Sequence, residues 1–91
     1  MDIRYHLDPD SELPHIYGHG VTETEVEHVL RHSGEDRSGR DASRHALGQT
    51  AAGRFPHVIY VPDEAGDGVF VVTAYKIRGK ALQAYKRRKR R

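Results

Sequence analysis

The chain has 91 residues, 36% of them apolar and 31% charged, with a formal net charge of +2. That length suits one small domain with a single core. The absence of cysteine excludes disulfide scaffolds, thiol catalysis and thiolate metal sites, and no apolar run reaches membrane-spanning length.

Met1-Asp2-Ile3-Arg4 does not open a signal peptide, so a soluble cytoplasmic protein is expected. Residues 86–91 carry six positive charges, which leaves residues 1–85 at −4. We expect one domain over 1–85 and a basic tail over 86–91 that continues the last helix and meets a polyanion.

Ile3-Arg4-Tyr5 alternates as an edge strand does. Asp8-Pro9-Asp10-Ser11 opens like a helix, but Pro14 would fall inside it and remove a backbone bond. Only a short helix over 13–17 is expected, closed by Gly18 or Gly20. Thr22-Glu23-Thr24-Glu25 then has the pattern of a capping box, with Val21 and Val26 as its hydrophobic staple. Val26, Val29 and Leu30 share one face, and Gly34 supplies the stop, which predicts a helix over 23–32 laid on a sheet.

The polar stretch 33–43 reads as a surface loop, and 44–50 as a strand turned by Ala51-Ala52-Gly53 into the next. The runs 54–61 and 69–76 are rich in β-branched and aromatic residues. The polar segment 62–68 between them predicts an antiparallel hairpin, the scaffold of the domain. Pro56 cannot donate to a ladder and must sit at a bulge or face away from a partner. Gly79 ends the last strand, and 80–91 reads as a helix with Ala81, Leu82, Ala84 and Tyr85 on its apolar side.

Seven histidines raise the question of a metal. His28 and His32 lie opposite the apolar stripe of their helix with no third ligand in sequence reach, so no metal site is expected. His15 and His19 are also four apart, but His19 between two glycines reads as local structure. No Gly-x-Ser-x-Gly elbow is present, and the glycines of 48–53 join two strands rather than opening a helix, so neither a serine triad nor a phosphate loop is indicated. The positive signal is cationic and phenolic. Pairing Val61 with Val69 places Arg54 opposite Lys76, an arrangement that is unfavourable unless an anion lies between them. Arg78 and Lys80 follow, and Tyr60, Tyr75 and Tyr85 offer stacking surfaces or phenolic protons.

Taken in order, His19-Gly20-Val21, the acidic helix start at 22–27, Ala46-Leu47-Gly48-Gln49-Thr50 with Gly53-Arg54, and Val71-Val72-Thr73-Ala74-Tyr75 before a basic helix resemble BrnT-like toxins. A related group of small uncharacterised proteins shares the pattern. The chain departs from it at Gly18, where the family commonly has a basic residue, and at Tyr75, where it commonly has arginine.

The resemblance implies an α+β, RelE-like fold: a small, mainly antiparallel sheet with helices packed on it. It also implies a metal-independent endoribonuclease of a toxin–antitoxin pair, with no cofactor. Its partners would be RNA and a DNA-binding antitoxin. Arg54 carries over as the phosphate-binding arginine and Tyr85 as the aromatic residue of the last helix. With Lys76 they are the expected catalytic residues. Arg78, Lys80, Lys86, Arg87, Arg88, Lys89, Arg90 and Arg91 are the expected nucleic-acid contacts. The alternative is a non-catalytic RNA- or DNA-binding module of the same fold.

Overall fold

The structure, a computed structural model, describes residues 1–64 and 66–90. Five strands form one sheet in the order β1-β5-β4-β3-β2, where β1 is Ile3–Tyr5, β2 Glu35–Ser38, β3 Arg44–Leu47, β4 Pro56–Pro62 and β5 Val69–Lys76. β1 runs parallel to β5 and the other three pairings are antiparallel. With helices α1, Glu23–Arg31, and α2, Gly79–Lys89, this is the α+β arrangement expected. Among the described residues, no helix is long and apolar enough to cross a membrane.

The local signals at α1 act as read. The Thr22 hydroxyl accepts from the Glu25 amide at 3.2 Å, and the Glu25 carboxylate accepts from the Thr22 amide at 3.1 Å, which satisfies two donors that the first helical turn leaves free. Val26 and Val29 are fully buried against Ala46, Val58, Tyr60, Val71 and Ala74. The short helix near Pro14 is a 3-10 turn, His15–His19, closed by Gly20 in the left-handed region at φ 72°. It buries Ile16 in the same cluster. α1 and this turn therefore cover one face of the sheet.

Strand alternation assigns the other face. Pro56, Val58 and Tyr60 point to α1, so Phe55, His57, Ile59 and Val61 point away. Among the described residues, no helix lies over the middle of that second face. α2 meets only its end, where Tyr85 and Leu82 pack on Leu47, Ile77 and Phe55 as a second, smaller core.

Two expectations are corrected. The stretch 33–43 is not all loop, because Glu35–Ser38 pairs with β3 as an edge strand. Its four polar side chains carry no apolar alternation; Arg44 bonds to Asp36 at 2.8 Å and Arg88 to Glu35 at 2.6 Å instead. The β4–β5 register also differs. Pro62 faces Val69, and the register shifts again between Ile59 and Tyr60, leaving Val72 without a partner residue. Pro56, not Arg54, therefore lies opposite Lys76. Pro56 itself opens β4, a position where its missing amide costs least.

Candidate functional site

The corrected register separates the residues expected to act together. Arg54 lies ahead of β4 on the α1 side, where its guanidinium meets the Glu25 carboxylate at 3.5 Å. Lys76 ends β5 on that same covered face, with its ammonium beside Gly20. Tyr85 is buried on the opposite face, against Phe55 at a ring separation of 6.1 Å. Burial and the charge of Glu35 push its phenol above the usual tyrosine range. Arg54, Lys76 and Tyr85 thus share one end of the sheet but not one surface.

The basic residues divide as well. Arg78 is the N-cap of α2 and Lys80 sits in its first turn, both exposed. The basic residues 86–89 continue the last helix, as read from the sequence, and two of them have polar partners. Arg88 forms a two-pronged ion pair with Glu35, at 2.6 and 2.9 Å, which holds that carboxyl below its ordinary value. Lys89 reaches to 3.5 Å from the Gly34 carbonyl. Arg87 is exposed, and Arg91 lies outside the described residues.

Lys86, Lys89 and Arg90 line a groove of about 650 Å³, together with His32, Phe55 and Tyr85. Its floor depends on Gly34, since a Cβ there would collide with the Tyr85 hydroxyl. Lys86 lies over the Phe55 ring, 5.4 Å from its centroid. A groove with cations on one wall and aromatic rings beneath has the composition that holds single-stranded nucleic acid by charge and stacking.

Phe55 also connects the groove to the open face. It stands two residues before His57 on β4, so the two side chains project from one surface. His57 Nε2 lies 2.9 Å from His45 Nδ1, close enough to share a proton, and its ring stacks 5.0 Å from Tyr75. Partial burial, then the neighbouring His45 and Arg37, lower the His57 pKa to about 4, while Glu35 opposes the shift. His57 is therefore neutral at physiological pH. In the tautomer whose Nε2–H donates to His45 Nδ1, His57 Nδ1 can accept a proton from a ligand.

A third cluster lies at the edge of the sheet. His6, Asp8 and His15 bring one donor atom each within 4.8 Å of one another. His15 Nδ1 is 2.7 Å from Asp8 Oδ1, and His15 Nε2 is 3.3 Å from His19 Nε2. The His19 ring in turn lies 6.4 Å from Tyr75. Five histidines and one tyrosine thus run as a belt from the sheet edge onto the open face.

Sequence reading set the His15–His19 spacing aside as local structure and did not join His6 or Asp8 to it, nor His45 to His57, because these contacts form through pairing between strands or across a turn. For the second pair the usable signal was that His45 and His57 both fall on expected neighbouring strands. By contrast, His28 gives its ring nitrogen to the Gln49 carbonyl at 3.0 Å, and His32 stacks on it at 5.1 Å. No protein-family model, curated protein or solved structure matches this chain.

Proposed function

We propose that this chain is an endoribonuclease that needs no metal for cleavage, with the His45–His57 pair as its proton-transfer centre. The observation that carries the reading is the placement of that pair on an open sheet face continuous, through Phe55, with a basic and aromatic groove. RNA would stack on Phe55 and lay its phosphates along Lys86, Lys89 and Arg90. The chemistry is internal to the substrate. His57 takes the proton from a ribose 2′-hydroxyl, the 2′-oxygen bonds to the adjacent phosphorus, and the bond to the 5′-oxygen breaks. That leaving oxygen takes its proton from the pair through His45, which restores neutrality. The cations offset charge as it gathers on the phosphate. In the setting implied by BrnT-like toxins the protein works in the cytoplasm and is silenced by a DNA-binding antitoxin.

A second reading, an RNA- or DNA-binding module without catalysis, draws on a different observation. Arg54, the arginine that the resemblance assigns to phosphate, is engaged by Glu25 on the covered side.

Single-stranded RNA incubated with the protein and EDTA tests both. The first reading expects 2′,3′-cyclic phosphate and 5′-hydroxyl ends, no cut where a 2′-deoxy sugar replaces the ribose, and a rate about 10²- to 10⁴-fold lower for His57→Ala. Cutting at the deoxy position contradicts the 2′-hydroxyl route. Tight binding with no cleavage of any RNA favours the module.

A further inference from the structure

The belt's outer end carries a feature that RNA cleavage leaves unused. Residues 6–15 form a miniature hairpin. Leu7 and Pro14 make an isolated antiparallel bridge, the His15 amide donates to the His6 carbonyl at 2.8 Å, and the Asp8 amide donates to Leu13 at 2.9 Å. The His6 amide is itself tied to Val71 of β5 at 3.0 Å. His6 and His15 are therefore backbone partners, fixed to the sheet, with their rings 5.6 Å apart. The turn that follows Pro14 carries His19 back to His15, with rings 5.0 Å apart.

We propose that His6, His15 and His19 form a binding site for a transition-series divalent cation of the zinc type, with Asp8 as the orienting carboxylate. Four distances support this. Two imidazole nitrogens on one tetrahedral ion at the usual bond length stand roughly 3.3 Å apart, and their ring centres roughly 5 Å apart. His15 Nε2 and His19 Nε2 are separated by 3.3 Å, and the ring separations of 5.0 and 5.6 Å lie at and just above the second figure. The 2.7 Å contact of Asp8 Oδ1 with His15 Nδ1 is the carboxylate–histidine arrangement that fixes the tautomer and leaves Nε2 free for metal. Three imidazoles without thiolate suit zinc, nickel or copper rather than magnesium or calcium. Water would fill the fourth position, since His6 and His19 are exposed. A bound ion would clamp the N-terminal hairpin to the turn that buries Ile16. This site is independent of the RNA reading, and cleavage in EDTA is compatible with it.

The test is titration of the full chain with Zn²⁺ by calorimetry, and with Co²⁺ by visible absorption. One equivalent should bind, with the intense bands of a four-coordinate Co²⁺ and a raised thermal midpoint. His15→Ala should weaken Zn²⁺ binding by about 100-fold or more and remove the Co²⁺ bands, and Asp8→Asn should weaken it about 10- to 100-fold. His19→Gln, at an exposed position that leaves the core untouched, should also abolish the bands and guards against a folding artefact in His15→Ala. His32→Ala, which breaks the His28–His32 pair, should leave binding unchanged. No uptake by the wild type at about 100 µM Zn²⁺, where even a weak site fills, overturns the proposal. So does unaltered binding in His15→Ala and His19→Gln, or loss of binding in His32→Ala alone.

Discussion

On the covered face of the sheet the polar groups are closed on one another. Tyr60 gives its hydroxyl to Asp36, Arg44 holds the same carboxylate at 2.8 Å, and burial with that hydrogen bond raises the Tyr60 pKa to about 12. On the open face, His45, His57 and Tyr75 have comparable chemistry and meet mainly each other, with ring atoms left toward solvent. Both faces belong to the same strands. They differ in what lies above them among the described residues: α1 and the 3-10 turn on one side, and on the other α2 at its end. Polar groups are consumed by one another on the covered face and left open to a ligand on the other.

Paired truncations would break that contrast if it is wrong. Ile16 is almost wholly buried under the covered face, so Ile16→Ala should cost about 2–5 kcal/mol. At roughly 4–8 °C per kcal/mol for a domain of this size, the thermal midpoint should fall by about 8 °C or more. Ile59→Ala on the open face should cost well under half as much, because its side chain has a sheet beneath it and no layer above. Equal losses would mean that the open face is also a core. Thr22→Ala removes one half of the capping box and should cost about 1 kcal/mol, seen as a midpoint shift of a few degrees with no change in RNA cleavage.

The smallest expected effect concerns a buried polar group on the covered side that, among the described residues, has no partner. The Tyr5 hydroxyl is buried with no hydrogen-bond partner, and desolvation with nearby Glu27 and Glu23 raises its pKa to about 12. Removing a buried hydroxyl that makes no bond relieves a desolvation cost, so Tyr5→Phe should be neutral or stabilising by up to ~1 kcal/mol. A clear loss of stability in chemical denaturation would show that the hydroxyl has a partner after all.

The same contrast explains what the sequence disclosed. Elements specified by neighbouring residues were legible: the capping box at Thr22 and Glu25, the alternation of β1, and the hairpin of β4 and β5 with its polar turn. Alternation cannot locate a bulge, because the residues around Val72 are apolar on both sides of it. The shift between Ile59 and Tyr60 was therefore invisible, and with it the true partner of Lys76. β2 was missed for a related reason. Glu35-Asp36-Arg37-Ser38 becomes a strand through distant partners, Arg44, Tyr60 and Arg88, which local composition cannot reveal. The groove was half legible, since its cations and Tyr85 stood out but Phe55 and Gly34 did not. The histidine belt depends on strand register and on the Leu7–Pro14 bridge, so it appears only in three dimensions.

The most direct test of the open face as the working surface is a histidine-resolved NMR titration of His57, alone and with a 2′-deoxy oligonucleotide that binds without being cut. Free His57 should titrate near 4, below the ordinary value of 6.5, because burial and then the neighbouring His45 and Arg37 favour its neutral form. The unfolded chain then binds the proton more readily, so this group's contribution to stability is complete above about 6.5 and is lost as pH falls toward 4. A phosphate placed beside the ring favours the charged form, so the bound oligonucleotide should raise the His57 pKa. An unchanged His57 titration in the saturated complex would contradict the account, because the nucleic acid would then be lying elsewhere.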